Sequence, residues 1–262
     1  MMDKILKFKT LCGLVGLACA VNIMIRRIIG IKNPIKIKIR GMVLNLRPID
    51  SDLFVLMQIF SAKEYELKGP ALQKINALYN NILKRGGVPL IVDAGANVGY
   101  SSIYFSEIYP DAHILAIEPD EASFQMLSGN CASLDKVTAV NAALWKDDRG
   151  VNLGNTTRPA WARTVSGEGT TTSITLEQAL SKNVNTAPFI LKLDVEGAER
   201  VIIEAARNIV QMFPVVMVEP HDFLTPGSGC LSPLYSAISG MEYDTYVNGE
   251  NIIFCSSQIF KS

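Results

Sequence analysis

Five carboxylates fall where strands should end. Asp93 closes the apolar run Leu90-Ile-Val92, and Glu118 closes His113-Ile-Leu-Ala-Ile117. Asp194 and Glu196 follow Phe189-Ile-Leu-Lys-Leu193, and Glu219 follows Pro214–Val218. Runs this short and apolar suit strands buried on both faces of a parallel sheet. Carboxylates gathered along one rim of such a sheet meet a cationic ligand, a metal or exchangeable protons. Lys192 and Asp194 stand two apart and so share a strand face. A lysine on a buried strand needs a charged partner, and a nearby carboxylate would supply it. His221 sits just beyond Glu219, and its ordinary pKa suits proton transfer. Asp194, Glu196 and His221 are therefore the candidate acid–base groups.

The turn after Asp93 carries a second chemistry. Ala94-Gly-Ala-Asn-Val-Gly99 leads into apolar residues at helical spacing, Val98, Ile103, Phe105 and Ile108. Strand, glycine turn and helix put the turn at the carboxyl end of the strand, where ligands bind in doubly wound sheets. Gly95 can take backbone angles that other residues avoid, and it lets a ligand approach the main chain. Glu118, at the end of the next strand, can accept hydrogen bonds from both hydroxyls of a ribose. These two strand ends describe a nucleoside site. They do not describe a phosphate cradle, because neither Gly-x-Gly-x-x-Gly nor Gly-Lys-Ser/Thr occurs in the turn.

The elements that must position these groups alternate along the chain. Helical patterns follow the first two strands, the second from Asp120 or Ser123 to about Cys131, and Lys136–Val140 forms a third strand ending in Asn141. Asn248-Gly249 between two apolar runs marks a closing hairpin. Upstream, Pro34–Ile39 alternates with period two and pairs with Met42–Leu46. A helix starting at Asp50 or Ser51 and another over 70–84 complete an N-terminal cap. The expected division is a tail over 1–30, a cap over 31–86 and a ligand-binding domain over 87–262. Glu64 and Tyr65 in the cap could touch a ligand, though packing explains them as well. Residues 147–173 suit an irregular strand pair with a long loop, where Arg158, Trp161 and Arg163 could contact an acceptor.

Composition bounds the function. The 262 residues are 48% hydrophobic, with 25 Lys and Arg against 25 Asp and Glu. That argues against disorder and against nucleic acid as a partner. The five cysteines are scattered and the histidines number two. Free thiols in a reducing compartment fit this pattern, and no metal site is assigned. An ion held by Asp194 and Glu196 has no metal motif behind it. Residues 11–25 carry no charge and lie between Lys4, Lys7, Lys9 and Arg26, Arg27. A short spanning helix, a signal peptide and a surface-lying or docked helix compete for this run. Basic residues after it resist translocation, which favours anchorage at the cytoplasmic face of a membrane.

Asp93-Ala-Gly-Ala-Asn-Val-Gly-Tyr-Ser-Ser102, Glu118-Pro119, Leu191-Lys-Leu-Asp-Val-Glu-Gly-Ala-Glu199 and Val218-Glu-Pro-His221 together resemble the FkbM family of S-adenosylmethionine-dependent methyltransferases. The resemblance covers roughly residues 35–256, and the block ending in Glu199 is its most specific part. It implies an α/β, Rossmann-like class I methyltransferase sheet of seven strands, ordered 3-2-1-4-5-7-6, with the last strand antiparallel and helices on both faces. It implies that Asp93, Gly95, Ala96, Asn97 and Gly99 hold the methionine and ribose parts of the cofactor. Glu118 and Pro119 would then meet the ribose, Asn141 would approach the adenine, and Asp194 would lie near the reacting methyl. Thr175-Leu-Glu177 departs from the Leu-Asp that relatives commonly show. The expected activity is methylation of a hydroxyl, on a small molecule, a glycan or a glycolipid precursor. Two rivals remain: a nicotinamide-dependent dehydrogenase or epimerase on a similar sheet, and a non-catalytic membrane-tethered binding module.

Overall fold

The computed structural model describes residues 2–154, 165–181, 183, 185–224 and 226–257, with side chains from Leu6 onward. Two helices open the chain, α1 (Met2–Val15) and α2 (Leu17–Ile29), followed by a hairpin of β1 (Ile35–Ile39) and β2 (Met42–Leu46). Next come α3 (Asp52–Met57), a wider π turn over Gln58–Ala62, and α4 (Gly69–Lys84). Strand and helix then alternate: β3 (Val88–Ala94), α5 (Tyr100–Ile108), β4 (His113–Ile117), α6 (Glu121–Cys131) and β5 (Val137–Val140). A side structure follows, made of β6 (Ala143–Leu144), β7 (Val151–Leu153), β8 (Val165–Thr171) and β9 (Ser173–Ile174). The chain returns through α7 (Leu176–Ser181), β10 (Thr186–Leu193), α8 (Glu199–Ala205), α9 (Arg207–Val210) and β11 (Val215–Val218). It finishes with α10 (Ser232–Ile238) and the hairpin β12 (Tyr243–Asn248) and β13 (Asn251–Ser256).

The central sheet has seven strands in the order β12-β13-β11-β10-β3-β4-β5. β13 runs antiparallel to both β11 and β12, and the other pairings are parallel. This is the order that the resemblance to class I methyltransferases implies. After β3 the chain builds outward through β4 and β5, then returns to place β10 on the other side of β3. The order reverses at β3–β10, and at such a switch point the loops diverge and leave a crevice for a ligand.

Side chains alternate across the sheet, so each strand feeds two cores. Ile91, Ile114, Ile190 and Met217 face the hairpin, α4, α5 and α6. Leu90, Val92, Leu191 and Val218 face the opposite layer of α7, α8, α9 and α10. The tail belongs to the first core. Leu11, Ala20 and Ile23 are buried in it, so the apolar run of 11–25 is docked on the domain over part of its surface. Gly16, with φ +83, breaks that run into two helices. Among the described residues, no helix is long and apolar enough to cross a membrane.

Candidate active site

The glycine turn is bolted down from beneath. Asp93 is fully buried, and its Oδ2 accepts hydrogen bonds from the Ser101 and Ser102 hydroxyls, each at 2.6 Å. Lys192 stands opposite Asp93 in the β10–β3 register, and its Nζ lies 3.1 Å from Oδ1. The same ammonium donates to the carbonyls of Ala94 at 3.3 Å and Gly95 at 2.9 Å, and sits 3.4 Å from Asp194 Oδ2. Burial alone would depress the Lys192 pKa, but Asp93, Tyr65 and Asp194 outweigh it and hold the group charged. Gly95 has φ +75, and a Cβ there would lie 1.7 Å from the Asp194 carbonyl oxygen. Only glycine lets the ends of β3 and β10 come this close.

Most of the turn's N–H groups are already used. Gly95 and Ala96 both donate to the Ile117 carbonyl at 3.0 Å, and Asn97 donates to Glu118 Oε2 at 2.9 Å. They are not free to cradle a pyrophosphate. Glu118 Oε1 accepts from the Asp120 N–H at 2.8 Å. Each carboxylate oxygen still has a lone pair, and the residue lines a cavity of about 780 Å³ at the switch point. Burial raises the Glu118 pKa to about 7, against the two backbone hydrogen bonds that lower it.

The other half of the cavity is ringed by acids around one imidazole. His221 is buried, and its Nδ1 lies 2.7 Å from Glu199 Oε1. Its Nε2 is 3.3 Å from Glu196, 3.6 Å from Glu219 and 3.9 Å from Asp194. Burial opposes the imidazolium, but Glu199, Glu196 and Asp194 lift its pKa to about 9. Desolvation and then the charge of Asp194 raise Glu196 to about 9 and Glu219 to about 8. Glu196 adopts φ +54, an uncommon backbone state that a non-glycine residue holds only where surrounding structure enforces it. Asp194, Glu219 and His221 each offer a ligand atom, all within 4.8 Å of one another. Such a set could hold a divalent cation or shared protons, since either relieves repulsion among the acids.

Gly95, Ala96, Asn97, Glu118, Pro119, Asp194, Glu196 and His221 thus line one cavity. Asp93, Gly99 and Asn141 are not among the described residues that line it. Asp93 supports the turn from below, as above. Gly99 starts α5 with φ +88, where a Cβ would press to 2.8 Å from Leu127 Cδ1. Asn141 donates to the Glu118 carbonyl at 3.4 Å. Other lining residues come from afar, among them Arg27 of the tail, Glu64 and Tyr65 of the cap, and Glu250 from the closing hairpin turn. Arg158, Trp161 and Arg163 lie outside the described residues. Glu199 is the functional candidate that sequence patterning does not single out. Its position at the start of α8 reads as an ordinary exposed helix residue, yet it is fully buried.

The shifted groups fix a pH response. Folded Glu196 and Glu219 keep protons that an unfolded Glu, at 4.5, has lost. Folded His221 keeps a proton that an unfolded His, at 6.5, has lost. The folded state therefore binds more protons, and stability falls as pH rises. The loss runs through about pH 9, where the last of these groups titrates in the folded state, and ends above it. Thermal midpoints should fall steadily over this window, and Glu196→Gln should flatten the fall. A wild-type profile that is flat across it would show that these groups are not held protonated.

The profile of the Methyltransferase FkbM domain matches residues 93–240. A stretch of 54 residues is 48% identical to Methyltransferase sdnD of Sordaria araneosa, and covers 21% of this chain and 21% of that protein. The match thus spans about a fifth of that relative's length. Among solved structures, M. jannaschii TYW2 in complex with AdoMet is 10% identical with a TM-score of 0.40, covering 86% of this chain and 85% of that one. Aeropyrum pernix fibrillarin with natively bound S-adenosyl-L-methionine is 12% identical with a TM-score of 0.37, covering 65% and 66%.

Proposed function

The chain belongs to the FkbM methyltransferase family, and from that premise we propose that it transfers the methyl group of S-adenosylmethionine to a hydroxyl of a glycan or glycolipid precursor. The observation that carries this reading is Glu118, a cavity carboxylate with open lone pairs beside a turn in which the Gly95, Ala96 and Asn97 N–H groups are consumed. That arrangement suits a ribose diol and not a pyrophosphate, which weighs against the dehydrogenase rival. The acids around the rest of the cavity suit a cationic cofactor. When bound, S-adenosylmethionine supplies a methyl already activated on a sulfonium.

The chain's own residues do the rest. Ala96, Asn97 and Glu118 position the nucleoside end. Asp194, at the close of β10 and 23% exposed, faces the reacting centre. Holding an acceptor oxygen in line there contributes much of the rate. Glu199 fixes the His221 ring so that Nε2 points toward Asp194, Glu196 and Glu219; held protonated, His221 steadies the charge of Asp194, which takes up the hydroxyl proton. The basic residues of the tail support a location at the cytoplasmic face of a membrane, where the cofactor is at hand.

Calorimetry with S-adenosylhomocysteine tests the cofactor assignment, with NAD as the control. Glu118→Ala should weaken S-adenosylhomocysteine by about 1.5–3 kcal/mol, the scale of charge-assisted hydrogen bonds. Unchanged affinity in a folded variant, or preferential binding of NAD, would overturn the ribose assignment. Mass spectrometry of glycans and glycolipids from cells with and without the gene then tests the acceptor, through the gain of one methyl.

A further inference from the structure

Helix α2 has two apolar faces, and the domain covers one of them. Ala20 and Ile23 are buried in the core. Leu17, Val21, Met24, Ile25 and Ile28 recur at helical spacing on the other side and are exposed, Leu17 by 65% and Ile28 by 80%. A contiguous exposed ridge of this kind marks an interaction surface. Arg27 lies on the covered face, between Ala20 and Ile23 in angle. It donates to the carbonyls of Pro48 and Asp50, and its guanidinium stands 5.9 Å over the Phe54 ring. Arg27, Ile49 and Phe54 line the cavity, and Ile49 and Phe54 are themselves exposed apolar residues. Helix α2 therefore abuts the cavity rim through Arg27 and Phe54.

Charge says what it meets. The first 40 residues hold nine Lys or Arg and one Asp, which leaves sixteen Lys or Arg against twenty-four acids in the remainder. The protein is neutral overall but strongly polar end to end. Lys32, Lys36 and Lys38, next in the chain, are exposed. Two copies meeting on this ridge would bring their basic ends together, which like charges oppose. Anionic lipid presents the complementary charge and an apolar layer for the ridge.

We propose that the exposed ridge of α2 seats on an anionic bilayer surface, lying in its plane, and so brings the cavity rim to a lipid-borne acceptor. The surface contact stands on the ridge and the charge; the acceptor it serves rests on the methyltransferase reading above.

Co-sedimentation of the full chain with vesicles tests the contact, using phosphatidylcholine alone and with about a third phosphatidylglycerol. The wild type should bind the anionic vesicles, less so in high salt. Ile25→Glu/Ile28→Glu changes only exposed positions and should lower partition by about tenfold or more. Its affinity for S-adenosylhomocysteine, measured free in solution, should be unchanged. No wild-type binding, or a variant that binds as well, overturns the proposal. A concentration-dependent dimer abolished by the same variant, without vesicle binding, also overturns it and gives the ridge to a second copy. Loss of S-adenosylhomocysteine binding in the wild type would instead refute the cofactor reading, while the vesicle result still reports on the ridge.

Discussion

Asp194→Asn and His221→Ala are each expected to retain the cofactor and lose about 10²–10⁴-fold in methyl transfer, the range of general acid–base contributions. Asparagine keeps the shape of Asp194 but removes the charge that faces Lys192 and His221, at 3.4 Å and 3.9 Å. Alanine at 221 removes the one imidazole in the cavity and strands Glu199, whose Oε2 already lacks a partner among the described residues. S-adenosylhomocysteine affinity should stay near wild type, because Ala96, Asn97 and Glu118 lie on the other half of the cavity. Single-turnover transfer of a labelled methyl to the acceptor named by mass spectrometry makes the measurement. If both variants keep near-normal turnover, neither group takes the proton, and alignment alone carries the reaction.

Lys192→Met should cost about 3–5 kcal/mol of stability, because breaking a buried ion pair leaves an uncompensated charge. Lys192 is 1% exposed and Asp93 is buried, so solvent cannot replace the lost ammonium. The Gly95 carbonyl loses the Lys192 donor at the same time, and the Ala94 carbonyl loses one of its two donors. Asp93→Asn in the same chain should recover part of the loss, since it removes the orphaned charge. Urea unfolding of the two single variants and the double one measures this directly. A loss below about 1 kcal/mol for Lys192→Met would mean that the pair does not hold the turn in place.

Much of the fold is legible because strand and helix periods are local. Short apolar runs ending in acids mark β3, β4, β10 and β11, and alternation marks the β1–β2 hairpin, without knowledge of any contact. Carboxyl ends of parallel strands share one rim by topology, so Glu118, Asp194, Glu196 and Glu219 could be grouped from their positions alone. The resemblance to the FkbM family added the strand order, which spacing by itself does not contain.

What surrounds each group was decided only in three dimensions. Asp93, at a strand end like the others, alternates onto the face with Lys192, Ser101 and Ser102 and is spent there. Glu199 looks like a solvated helix residue until β11 brings His221 against it at 2.7 Å. Glu64 and Glu250 are 186 residues apart in the chain, yet the closing hairpin turn lays them on one cavity wall. The apolar run of 11–25 reads alike whether lipid or protein covers it, because hydrophobic periodicity records that a face is apolar and not what meets it. The sequence by itself determined the sheet's strands, the rim of acids and the glycine turn, all set by spacing within one element. Only the tertiary structure decided which acids are spent as supports, which open into the cavity and how the tail is docked, because those depend on which elements meet across the fold.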